Sequence, residues 1–76
     1  MNNNETRFIN FGKYIQSSRE LRKWSIKDLS NKSGLSQWSL KRIEQGNLKR
    51  IKLSHIIQLA SAFKVKFTEI IKALDL

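Results

Sequence analysis

The chain reads as all-α, and three observations predict it. Apolar residues recur three and four apart along most of the 76 residues, while the strict alternation of a half-buried strand is weak. Proline is absent, so nothing interrupts that spacing from within. Ser25 and Ser36 each stand at the head of a short amphipathic run, with Gly34 between the two runs, as expected of two capped helices around a tight turn. Together these predict one compact five-helix domain over residues 6–76, preceded by a flexible polar arm at 1–5.

The first helix is expected to start from a cap at Asn4 or Thr6 and to carry Phe8, Phe11, Ile15 and Arg19 along one stripe. Gly12 lies inside it, at a cost of roughly 1 kcal/mol against alanine, which close approach of another backbone would explain. Ser25 with Asp28 three residues later forms a capping box for the second helix, which buries Leu29 and Ile26. Gly34 supplies the positive φ of a sharp turn, Leu35 is its apolar residue, and Ser36 caps the third helix. That helix turns Leu40 and Ile43 inward with Leu35, presents Gln37, Trp38, Lys41 and Arg42 on the opposite face, and stops at Gly46. Residues 47–52 form a loop rich in cations. A fourth helix places Leu53, Ile56, Ile57, Ala60 and Phe63 at core spacing, and a fifth carries Phe67, Ile70, Ile71 and Leu74.

Fifteen Lys and Arg against six acids give a formal charge of +9, which favours a polyanionic partner, either nucleic acid or an anionic membrane surface. With no cysteine, disulfides and thiolate metal sites are unavailable, which fits a reducing cytoplasm. The polar opening residues and the lack of a long apolar run give no secretory signal and no membrane span. His55 is the only histidine and the acids are scattered, so neither a catalytic dyad nor a metal site assembles, and no cofactor is expected. A core this small leaves little room for a catalytic pocket, and the chain reads as no enzyme.

Two short capped helices about a glycine turn can lay the second in the major groove of DNA. At this point the residues resemble the Cro/phage-repressor-like (XRE-type) helix-turn-helix family, from about Phe11 to Ile71. Phe11-Gly12-Lys13-Tyr14-Ile15 with Arg19-Glu20 is similar to its first helix, and Ser25, Leu29 and Gly34-Leu35-Ser36 to its turn. Leu40-Lys41-Arg42-Ile43-Glu44-Gln45-Gly46 matches the end of its recognition helix. Leu59-Ala60-Ser61-Ala62-Phe63 and Phe67-Thr68-Glu69-Ile70-Ile71 match its last two helices. The resemblance implies a lambda-repressor-like domain and a largely buried ion pair between Arg19 and Glu44. The sequence departs from the family pattern at Ile26, where a phosphate-touching Gln is usual and whose role passes to Lys27 or the Ser25 region. It departs also at Ser30 for Ala, Ile51 for Pro, and Lys64 for a small residue.

Base contacts are expected from Gln37, Trp38, Ser39, Lys41 and Arg42 on the reading helix. Gln suits adenine N6 and N7, and Arg suits guanine O6 and N7. Trp38 has two open readings, pressing on DNA or folding back onto helix 2 to complete the core. Trp24, before the helix-2 cap, reads as structural. Phosphate contacts are expected from Lys27, Gln45, Asn47, Lys49, Arg50 and Lys52, the charges at 49–52 being otherwise plain solubilising residues. Phe67, Ile71, Leu74 and Leu76, extended by Leu48 and Ile51, are candidates for a dimer surface or, alternatively, for the core.

The resemblance implies a cytoplasmic regulator, encoded by a bacterium, phage or plasmid, and the expected activity is binding of double-stranded DNA as a homodimer on an inverted repeat. Phage repressor, restriction–modification controller and antitoxin remain open. The alternative is a protein-interaction module whose basic face takes an acidic partner, a toxin or another regulator. A peripheral membrane binder is a poorer fit, because helix 5 lacks a dense cationic face.

Overall fold

The computed structural model describes residues 4–47 and 51–74, with the side chains of Asn4 and Glu5 excepted. Five helices follow in order: α1 (Asn4–Leu21), α2 (Ile26–Ser33), α3 (Gln37–Glu44), α4 (Leu53–Phe63) and α5 (Phe67–Ile71), the last continued by a 3-10 turn at Lys72–Leu74. The described residues contain no strand. α1 begins inside the stretch read as a flexible arm, so Asn4 and Glu5 are helical. The loop residues Leu48, Lys49 and Arg50, the terminal Leu76 and the first three residues of the arm lie outside the described residues.

Local chemistry sets the α2–α3 unit. The Ser25 hydroxyl accepts from the Asp28 amide at 3.0 Å, and the Asp28 carboxylate accepts from the Ser25 amide at 2.9 Å, completing the capping box. α2 stops at Gly34, whose amide still donates to the Ser30 carbonyl at 2.9 Å and whose φ of 80° then turns the chain out of the helix. Two further bonds brace the turn: the Ser30 hydroxyl donates to the Leu35 carbonyl at 2.6 Å, and the Leu35 amide donates to the Ser33 hydroxyl at 3.1 Å. The residue that replaces the usual small Ala therefore ties down the turn. Ser36 then caps α3, its hydroxyl accepting from the Ser39 amide at 3.0 Å.

The core is built from all five helices: Phe11 and Ile15 on α1, Leu29 on α2, Leu35 in the turn, Leu40 and Ile43 on α3, Ile56, Leu59, Ala60 and Phe63 on α4, and Ile70 on α5. α1 and α3 cross in close contact at Gly12. A Cβ there would collide with the backbone carbonyls of Ile43 and Glu44, coming within 2.6 Å of the latter. The sequence expectation for this glycine is therefore met by the carboxyl end of α3.

Two expectations on α4 and one beyond α5 are corrected. Leu53 and Ile57 are 60% and 52% exposed, while Leu59 is fully buried. The buried set Ile56, Leu59, Ala60 and Phe63 forms one i, i+3, i+4, i+7 face, which leaves Ile57 rotated out and Leu53 at the overhanging first turn. Leu74 points into the core at 5% exposure, because the 3-10 turn folds back onto α1. α4 ends at Lys64, which adopts a left-handed φ of 57° where glycine would sit unstrained.

Candidate nucleic-acid interface

α3 presents two chemically distinct faces. Leu40 and Ile43 are buried, whereas Gln37, Trp38 and Lys41 are exposed. Gln37, Trp38 and Lys41 thus stand off the scaffold, while Arg42, expected on the same face, is half-buried. Trp38 is 67% exposed, so the reading that folded it onto α2 is corrected: the core between α2 and α3 is already filled by Leu29, Leu35 and Leu40. Its indole carries the Arg42 side chain instead, with the guanidinium carbon 4.8 Å from the ring centroid. Arg42 Nη2 donates to the Asn47 carbonyl at 3.3 Å, which places the head group between the ring and the α3–α4 loop. Ser39 is half-buried, and its hydroxyl is engaged with Ser36 at 3.0 Å.

The scaffold that holds α3 is ionic as well as apolar. Arg19 Nε and Nη2 donate to the two carboxylate oxygens of Glu44 at 2.8 and 3.0 Å, and Nη1 donates to the Trp24 carbonyl at 2.8 Å. The two side chains are 13% and 8% exposed. The hydrogen bonds to Glu44 raise the Arg19 pKa further, outweighing the burial that opposes it. One guanidinium therefore joins α1, the α1–α2 loop and the end of α3.

The candidate phosphate residues are spread around α3. Lys27 is exposed in the first turn of α2, Gln45 and Asn47 are exposed just past α3, and Lys52 is exposed at the cap of α4. Gln45 and Asn47 are linked through their side chains at 3.1 Å. Lys49 and Arg50 lie in the stretch left undescribed. Among the described residues, no group of acids and histidine is placed to hold a metal ion, and no helix is long and apolar enough to cross a membrane.

Sequence reasoning missed a second cationic cluster, which no α3 residue lines. Trp24 stacks on Phe63 with centroids 5.8 Å apart, and Arg22 lies over both rings while donating to the Ser18 and Phe63 carbonyls. Lys32 Nζ sits 4.8 Å from the Trp24 centroid. Lys64 and Ser61 complete the walls of a cavity of about 380 Å³ there. The partners of Arg22 lie as far as 41 residues away, and no short-range pattern announces them.

A family model for helix-turn-helix proteins matches residues 15–70, well over half the chain and the whole α2–turn–α3 unit. The chain belongs to the helix-turn-helix family. The XRE-type resemblance read from Phe11 to Ile71 is borne out at the level of the family over residues 15–70. Among solved structures, the restriction-modification controller protein C.AhdI from Aeromonas hydrophila is similar in fold, with a TM-score of 0.80 at 25% identity, over 86% of this chain and 97% of that one. Comparison with curated proteins gives no match. As a helix-turn-helix protein, the chain is a DNA-binding transcription regulator and not an enzyme.

Proposed function

We propose that the protein is a sequence-specific regulator of the repressor or controller type, which binds an inverted-repeat operator as a homodimer in the cytoplasm. The observation that carries this reading is the exposed row of Gln37, Trp38 and Lys41 with Arg42, on a helix anchored at its base by Arg19 and Glu44. Gln37 lies in the first turn, where side chains of a reading helix reach base edges, and Arg42 lies one turn on, with the fork geometry that suits guanine. Lys27, Gln45, Asn47 and Lys52 flank it for phosphate contacts, and a charge of +9 supplies the attraction. The likeness to a restriction-modification controller supports the controller form.

A single reading helix contacts few base pairs, so a twofold dimer is the economical way to reach useful specificity. Its two copies of α3 would lie about 34–36 Å apart, one turn of DNA. Exposed Leu53 and Ile57, one turn apart on α4, and exposed Phe67 at the start of α5 favour α4 and α5 as the source of that surface, with Ile71 of α5 half-buried. Leu74 takes no part, being in the core.

Selection from a random duplex pool tests the reading. An enriched palindrome supports a dimeric regulator, and Arg42→Glu should then abolish specific binding with helical content unchanged. Absence of any enrichment would sink it. The rival reading, an adaptor for an acidic protein segment, is favoured by one observation only. Arg22 and Lys32 lie over the Trp24 ring and Lys64 lines the same cavity, with no carboxylate in its wall. Retention of DNA selection by Lys32→Glu/Lys64→Glu would leave that cavity without a part in DNA recognition.

A further inference from the structure

Trp38 presents a puzzle of its own. Two-thirds of an indole is left in water on a helix whose core face is complete, and the described structure gives the ring one specific partner, Arg42. We propose that Trp38 is a positioning residue for Arg42: the ring holds the guanidinium in one orientation, so the base preference exerted by Arg42 depends on an aromatic side chain four residues before it. The proposal rests on the reading of α3 as the base-contacting helix.

Three features of the geometry carry it. The spacing of four places the two side chains one above the other on a helical face, where they can touch without distortion. The guanidinium is held from two sides, by the ring 4.8 Å from its central carbon and by the Asn47 carbonyl 3.3 Å from Nη2. Arg42 Nε is shut off from solvent and has no hydrogen-bond partner among the described residues, a cost an unrestrained arginine would escape by swinging into water. An arginine side chain carries large rotamer entropy. One already immobilised loses less on meeting its base, so the ring sharpens discrimination before any DNA arrives.

The simpler use of an exposed indole, direct contact with thymine methyls or sugar, predicts a different pattern under mutation. In the positioning role, Trp38 and Arg42 act as one unit, and removing the ring costs nothing once the guanidinium is gone. In the direct role, the two losses are independent and add.

The experiment uses the full chain and a sequence enriched by it from random duplex. Affinities are measured for that sequence and for versions altered at single base pairs. The variants are Trp38→Ala, Trp38→Phe, Arg42→Ala and the Trp38→Ala/Arg42→Ala double. Arg42→Ala is expected to erase the preference at one base pair, and Trp38→Ala to reduce that same preference by about tenfold. Trp38→Phe restores most of it, and the double variant falls no further than Arg42→Ala alone. Additive losses, or a Trp38→Ala chain with its preference intact, overturn the proposal while leaving the DNA reading standing. A wild-type chain that enriches no sequence overturns both. A readout without DNA separates the cases. The Arg42 Nε–H resonance of the free protein should be ring-shifted and slow to exchange, keep that character in Trp38→Phe and lose it in Trp38→Ala. An unaltered resonance in Trp38→Ala would also overturn the proposal.

Discussion

Arg19 and Glu44, 25 residues apart in the chain, meet through two parallel hydrogen bonds of 2.8 and 3.0 Å, and the remaining guanidinium nitrogen holds the Trp24 carbonyl. This is a joint between three segments. Its geometry explains why α3 has a fixed direction although it is only eight residues long and far too short to be stable alone. Removing one partner strands the other charge in a site that is nearly closed to water. Arg19→Ala and Glu44→Ala should each cost about 3 kcal/mol, measured by urea unfolding. Arg19→Lys should fall between them and wild type, since an ammonium cannot span both oxygens and the carbonyl at once. A loss below about 1 kcal/mol for either alanine variant would place the pair among ordinary surface contacts.

Gly12 makes the opposite kind of test, because helix propensity and packing pull in different directions. Alanine in the middle of α1 should gain about 1 kcal/mol on propensity alone. Its methyl would instead meet the carbonyls at the end of α3 and force the two helices apart. Gly12→Ala is therefore expected to lower the melting temperature. A rise would mean that the crossing is looser than its geometry indicates.

At Lys64 the backbone conformation predicts a gain. A lysine with φ of 57° pays for a Cβ in the left-handed region, which glycine avoids. Lys64→Gly should stabilise the chain by about 1 kcal/mol in chemical denaturation. DNA affinity should change only by the loss of one charge.

The capping box gives a pH dependence with a definite sign. The Ser25 amide and hydroxyl hold the Asp28 carboxylate below its ordinary pKa, with Lys32 and Lys27 adding a smaller pull in the same direction. A depressed folded-state value means stability present above the unfolded pKa of about 3.9 and lost as pH falls through the lower folded one. The melting temperature difference between wild type and Asp28→Ala should thus be full near neutrality and shrink as the medium is acidified below about pH 4. A difference that persists unchanged at low pH would contradict the assignment.

Phosphate contacts can be counted by salt. If Lys27 and Lys52 each neutralise a phosphate, the slope of log K against log salt should flatten by about one for each alanine substitution, with sequence preference unaffected. Lys23, exposed in the turn after α1 and outside the expected contact set, serves as the control and should leave the slope unchanged. Equal effects from all three would point to diffuse charge attraction and no defined footprint.

What the sequence determined by itself was local. The capping box at Ser25 and Asp28, the left-handed Gly34, the cap at Ser36 and the inward pair Leu40 and Ile43 depend on neighbours within four residues, where backbone geometry and hydrogen-bonding reach are nearly sufficient. Tertiary packing decided the rest. Leu53, Ile57 and Leu59 are chemically interchangeable on a helix, and only the angle at which α4 meets its neighbours selects which of them is covered. The same holds for Leu74, drawn inward by a turn of the chain, and for Arg22, which reaches the Phe63 carbonyl 41 residues away. Trp38 shows the division within one side chain. Its four-residue spacing from Arg42 was visible from the start, but which way the ring turned depended on whether the core had room for it, and the core was full.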